Sequence, residues 1–155
     1  MEQMASEALD CVIHMPGHER LPLAGHSEGE ESADHFIRRD GIEFAGTHLI
    51  LDLWEASRLD DLQRMEQAMR DAVDAAGATL LHIHLHHFTP SGGISGVAVL
   101  AESHISVHSW PERDFAAFDI FMCGDARPEM AIPVLKQAFA PGRMEVRDLM
   151  RGVVR

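Results

Sequence analysis

Residues 95–125, SGVAVLAESHISVHSWPERDFAAFDIFMCGD, bring most of the chain's reactive side chains into one apolar stretch. Ser103, His104, Ser106, His108, Asp119 and Cys123 supply hydroxyls, imidazoles, a carboxylate and a thiol. A serine, a histidine and a cysteine are the types that nucleophilic and acid/base chemistry needs, because each attacks, or gains or loses a proton, near neutral pH. Each of them also has a purely structural explanation as a core polar group paired with backbone or water, since buried polar groups must be satisfied. Their number in one segment is what favours chemistry.

The segment alternates as half-buried strands do: Val97 and Val99, Ile105 and Val107, then Phe118, Ile120 and Met122. Three strands are expected. An offset of five between Ser103 and His108 places them on opposite faces of a regular strand, because the side-chain period is two. The chain must therefore bend between them, or Ser103 must lie outside the ladder, and a break near Glu102 to His104 would suit a bond that has to be strained before it rearranges.

ESHISVHSWPE at 102–112, DIFMCGD at 119–125 and GGISGVAVLA at 92–101 together resemble the processing and active-site core of the small bacterial S-adenosylmethionine decarboxylases. The likeness continues through THLILDLWEA and HHFTPSGGISG and covers roughly residues 44–152. It implies a self-processing, pyruvoyl-dependent enzyme. Ser103 would attack the carbonyl of Glu102 in an N-to-O acyl shift. The ester would then eliminate, and the serine remnant would lose its nitrogen to water as ammonia, giving a β chain of residues 1–102 and an α chain of residues 103–155 that begins with a pyruvoyl group. A ketone conjugated to an amide is an electrophile that no standard side chain provides, able to form a Schiff base with a substrate amine and accept electrons as carbon dioxide departs.

Residue by residue, the resemblance makes Ser103 the pyruvoyl precursor, His108 the proton-transfer residue of processing and Cys123 the acid that reprotonates the substrate carbon. Ser95 would assist processing near the scissile carbonyl, Glu112 would hold the ribose hydroxyls of S-adenosylmethionine, and Phe88 resembles the aromatic residue that stacks on adenine. It implies no metal. It also implies a dimer of processed protomers with active sites near their interface, making a decarboxylated aminopropyl donor for polyamine synthesis.

The elements that must position these residues follow from periodicity. THLILDLWEA at 47–56 reads as a strand. Ser57-Arg58-Leu59-Asp60 resembles a capping box, and Leu59, Leu62, Met65, Met69, Val73 and Ala76 recur at helical spacing up to Gly77. ATLLHIHLHHF at 78–88 is a strand with His82, His84 and His86 on one face, where imidazoles can converge on zinc or simply face solvent. Asp125 is placed to cap a second helix with Pro128 in its first turn and Ile132, Leu135 and Phe139 on one face; Pro141-Gly142 stops it, and RMEVRDLM closes the domain. The order is β-α-β-β-β-β-α-β, an α+β arrangement with two helices on one face of a mostly antiparallel sheet. The two-layer α/β sandwich of the resembling family fits it, and the sheet's other face needs a cover such as a second copy.

The chain of 155 residues is one domain's length, and its 25 acidic against 13 basic residues give a net charge of −12 with histidine neutral. That balance argues against a nucleic-acid or anionic-membrane binder and is compatible with a cationic sulfonium substrate. Two cysteines, Cys11 and Cys123, make no disulfide framework, and neither a leader nor a transmembrane stretch is evident, so the cytoplasm is the expected compartment. Residues 1–43 read as a flexible acidic extension, and 44–155 as the decarboxylase domain. Two other functions stay open on the residues. One is a pyruvoyl enzyme acting on a basic amino acid such as arginine or ornithine. The other is an unprocessed regulatory partner, or a metal-binding module built on His82, His84 and His86.

Overall fold

The computed structural model describes residues 35–154. It opens with a small hairpin, β1 (Ile37–Arg39) and β2 (Ile42–Phe44), turning at Asp40 and Gly41 with both residues at positive φ. Two positive-φ central residues are what a tight hairpin needs for its twist, and Asp-Gly supplies them at little cost. These strands fall where the sequence reading placed only an extension, most of which lies outside the described residues.

From β3 onward the order is the expected one: β3 (Gly46–Trp54), α1 (Leu62–Ala75), β4 (Leu80–His87), β5 (Ile94–Leu100), β6 (Ser103–Trp110), β7 (Phe115–Met122), α2 (Ala131–Phe139) and β8 (Arg143–Arg151). Six strands form one sheet in the order β4-β5-β6-β7-β3-β8, and every neighbouring pair is antiparallel. Short hairpins explain β4 to β7. Chain continuity leaves β3 to slot beside β7 and β8 to close the edge after α2.

Alternation decides what faces what. Leu49, Leu51 and Leu53 of β3, Ala98 and Leu100 of β5, Ile105 and Val107 of β6 and Phe118, Ile120 and Met122 of β7 are all buried, in one cluster with Met65, Met69 and Val73 of α1 and Leu135 and Phe139 of α2. The methionines of α1 are therefore core filler, as their place on the apolar stripe predicts. Phe118 and Phe139 pack with ring centroids 5.9 Å apart, joining sheet to α2. Complete burial of such rings is the largest single contribution to a core of this kind.

Both helix starts differ from the expectation. The cap of α1 is Asp61, whose carboxylate accepts the backbone N–H of Arg64 at 2.9 Å. Ser57 instead donates its hydroxyl to the Phe139 carbonyl at 3.1 Å, tying the end of α2 to the loop before α1. Leu59, counted on the helical stripe, is buried in that loop. Asp125 does not cap α2, which grows from a 3-10 turn at Pro128–Met130 with no side-chain cap.

The second face of the sheet carries the odd residues of β5 and β7 and the even residues of β3 and β6, and neither α1 nor α2 covers it. His48, Asp119 and Ser106 form a polar thread across its middle. His48 Nε2 lies 3.1 Å from one Asp119 oxygen, Ser106 donates to the other at 3.5 Å, and the Arg151 guanidinium donates to His48 Nδ1 at 3.0 Å. Beside the thread runs an aromatic row: Trp54 on Phe115 at 4.2 Å, Phe115 on Trp110 at 5.4 Å and Trp110 on His108 at 6.2 Å.

Candidate active site

The strand β6 begins at Ser103 and is joined to β5 by only two residues, Ala101 and Glu102, because Leu100 and Ser103 are directly paired. The Glu102–Ser103 bond thus sits at the tip of a hairpin. Ser103 is inside the ladder, paired on its other side with Met122 of β7, so the expected alternative of a serine outside the ladder does not hold. The expected bend does. Ser103 has φ +142°, a conformation that L residues rarely adopt. This turns its hydroxyl to within 3.2 Å of His104 Nδ1, on the uncovered face.

The carbonyl of Glu102 is held as well. It accepts the backbone N–H of Cys123 at 3.0 Å, so the residue that follows β7 donates to the carbonyl that Ser103 would attack. A donor so placed polarises a carbonyl and stabilises negative charge developing on its oxygen. The Cys123 thiol is free and half-buried. Ser103, Glu102 and Cys123 are therefore brought together by β6–β7 register.

The other expected residues lie elsewhere. Ser95 pairs with His108 across β5 and β6, and its hydroxyl is 2.7 Å from His108 Nδ1. Glu112 stands on the 3-10 turn Pro111–Arg113 that follows β6, and Phe88 on the loop after β4. Phe88, Ser95, His108, Trp110 and Glu112 line one open cavity of about 240 Å³. Neither Ser103 nor Cys123 lines it. Five residue steps along β6 separate Ser103 from His108, about 16 Å of extended chain. The expected set thus divides into two groups at opposite ends of β6.

A somewhat larger cleft of about 260 Å³ lies at the start of α1 between Arg58, Asp61, Arg64 and Asp71, but no nucleophile lines it. Asp61 there is held below the usual carboxylate range by the backbone N–H of Arg64 and then by the Arg58 guanidinium, bonds that explain it as a cap. His82, His84 and His86 alternate on one face of β4 as expected, with His86 edge-on to Phe88 at 4.4 Å. Among the described residues no group of three or more His, Cys, Asp or Glu is placed to hold a metal. No described helix is long and apolar enough to cross a membrane.

Two residues at the site had not been singled out for a role. Thr79, before β4, accepts the Ala101 N–H at 3.0 Å and donates its own N–H and hydroxyl to the Glu102 carboxylate at 2.8 and 3.2 Å. His104 adjoins the Ser103 hydroxyl. Adjacency in sequence was a signal for His104; for Thr79, distant in sequence and plain in type, there was none.

Comparison with known proteins gives one answer. The sequence model of the S-adenosylmethionine decarboxylase family matches residues 47–152. The chain is 48% identical over 110 residues to the S-adenosylmethionine decarboxylase proenzyme of Thermomicrobium roseum, covering 70% of this chain and 95% of that one. It is 46% identical over 112 residues to the proenzyme of Methanococcus maripaludis strain S2, covering 70% and 91%. The crystal structure of the adenosylmethionine decarboxylase from Aquifex aeolicus superposes with a TM-score of 0.67 at 31% identity, over 72% of this chain and 94% of that one.

Proposed function

The chain belongs to the S-adenosylmethionine decarboxylase family, and from that membership and the geometry of the β5–β6 tip we propose that it cleaves itself between Glu102 and Ser103 and then decarboxylates S-adenosylmethionine. The single observation that carries this is Ser103 at φ +142° with the preceding carbonyl already accepting the Cys123 N–H. A serine strained at a hairpin tip, beside a polarised carbonyl, is arranged for attack on its own peptide bond.

The residues present fit the pyruvoyl group that the family's chemistry requires. Its precursor Ser103 starts β6 and is paired to Met122, so the new N-terminus of fragment 103–155 stays fixed in the sheet, next to Cys123. When formed, that group supplies an electrophilic carbonyl that captures the substrate amine and takes up electrons as carbon dioxide leaves. The thiol of Cys123 carries the proton returned to the substrate carbon. Glu112 accepts hydrogen bonds from the ribose hydroxyls, and Phe88 offers its face to adenine. His108, oriented by Ser95, moves the proton during cleavage.

These roles require the two ends of β6 to meet, which about 16 Å of strand prevents within one chain. A second copy laid on the uncovered face solves this. Two sheets pack face to face about 10 Å apart with their strands roughly aligned. A two-fold axis running across the strands at the middle of β6 brings the Ser103 end of one chain to the His108 end of the other. The site then has Glu102, Ser103 and Cys123 from one protomer and Phe88, Ser95, His108 and Glu112 from its partner.

The test is release of carbon dioxide from carboxyl-labelled substrates by the cleaved protein. Turnover of S-adenosylmethionine with arginine and ornithine inert is the expected result. Turnover of either amino acid in its place would overturn the substrate, and the cavity bearing both Phe88 and Glu112 is what favours a nucleoside.

A further inference from the structure

We infer that Thr79 is a positioning residue for self-cleavage, acting through Ala101 and Glu102 to hold Ser103 in the one backbone conformation from which its hydroxyl can reach the Glu102 carbonyl. The inference rests on the self-processing reading above and deepens it.

The acyl shift passes through a five-membered ring made of the Glu102 carbonyl carbon and the N, Cα, Cβ and Oγ of Ser103. The Oγ–C bond forms, the C–N bond between Glu102 and Ser103 breaks, and the hydroxyl proton ends on the freed nitrogen. No other reactant is consumed. Such a ring tolerates only a small torsion about N–Cα, so Cβ must lie almost eclipsed with the preceding carbonyl carbon.

At a tetrahedral L-carbon the torsion to Cβ trails φ by about 120°. In an ordinary antiparallel strand, with φ near about −140°, Cβ therefore points far from that carbon and the ring cannot close. At the φ of +142° found at Ser103, the torsion to Cβ is about 20°. The strain at Ser103 is thus the ring-closing torsion, set in advance.

The surroundings must hold it there. A two-residue hairpin ordinarily takes up its twist through positive φ at its central residues, which here are Ala101 and Glu102. The positive φ falls on Ser103 in their place. Ala101 and Glu102 are pinned from one side by three hydrogen bonds to Thr79 and from the other by the Cys123 N–H on the Glu102 carbonyl. Thr79 is itself anchored, because the adjoining Ala78 N–H donates to Val73 at the end of α1. With residues 100 to 102 tied from both sides and Ser103 paired to Met122, the twist is left to Ser103.

Thr79 and Glu102 both remain in fragment 1–102, and Ser103 in the other. The latch therefore acts only while the bond is intact, and this separates it from a general structural role. The experiment follows cleavage of pulse-labelled chain in cell-free translation, then measures kcat and KM of fully cleaved enzyme. Thr79→Val, which deletes only the hydroxyl donor, is expected to slow cleavage about fivefold, and Glu102→Ala about tenfold or more. The double variant should be no slower than Glu102→Ala, and Thr79→Ser should restore a rate within about twofold of wild type. Cleaved Thr79→Val enzyme should keep wild-type kcat and KM. Wild-type cleavage rates in Thr79→Val and Glu102→Ala would overturn the inference. So would a slowing matched by an equal fall in kcat of the cleaved enzyme. A wild-type chain that never cleaves would overturn the self-processing reading, and the latch with it.

Discussion

The two ends of β6 are built to opposite specifications. At the Ser103 end several groups around the scissile bond are tied down: the Glu102 carbonyl by Cys123, the Ala101 N–H and the Glu102 carboxylate by Thr79, and Ser103 by its pairing with Met122. At the His108 end the side chains stand around an open cavity, with Phe88 and Trp110 45% and 42% exposed. On the proposed reading, one end carries the strained residue beside the bond that breaks and the other receives the substrate. The proposed pairing of two copies makes these ends half-sites that meet between chains.

The largest effect is expected from His108→Ala. Cleavage should fall by about a hundredfold or more although Ser103, Glu102 and Cys123 are untouched. Co-expression with Ser103→Ala should restore cleavage of the His108→Ala chain, because the partner supplies the missing imidazole. Failure of the mixture while each variant still dimerises would place both residues in one chain's site.

Cys123→Ala sharpens the division within the first end. The backbone N–H on the Glu102 carbonyl remains, so cleavage should run near the wild-type rate, while kcat of the cleaved enzyme falls by about a hundredfold for want of a proton donor. Loss of cleavage would assign the thiol to processing. Glu112→Gln tests the second end: KM for S-adenosylmethionine should rise about tenfold, through weaker hydrogen bonds to the ribose, with cleavage unchanged.

The smallest effect lies away from both ends. Asp61 is held below its unfolded value of 3.8 by the Arg64 N–H and by Arg58, so its contribution to stability is fully present above that value and is lost as pH falls through the lower folded one. Asp61→Asn should therefore lower the melting temperature slightly above pH 6, with the difference from wild type closing as pH falls below 4.

Much of this was legible in the sequence. Periodicity gave the chain order of the six strands from β3 to β8 and of the two helices, and the five-residue offset of Ser103 from His108 left either a bend or a serine outside the ladder, of which the bend is found, at φ +142°. Asp40-Gly41 was a sufficient turn signal for the first hairpin, but the strands it joins are too short to show a period. The capping serine went astray because Ser57 has a tertiary partner, the Phe139 carbonyl, that local spacing cannot reveal. The division of the site was hidden for a related reason. A motif is read as a unit, whereas strand rise separates residues that are close in sequence, and only the sheet shows that Ser95 joins His108 while Cys123 joins Glu102.

The most direct test of the account is the intact mass of freshly purified wild-type protein beside Ser103→Ala. The wild type should give two fragments, one ending at Glu102 and one beginning with a pyruvoyl group in place of Ser103, and the variant a single full-length chain. A single full-length mass from both would contradict it.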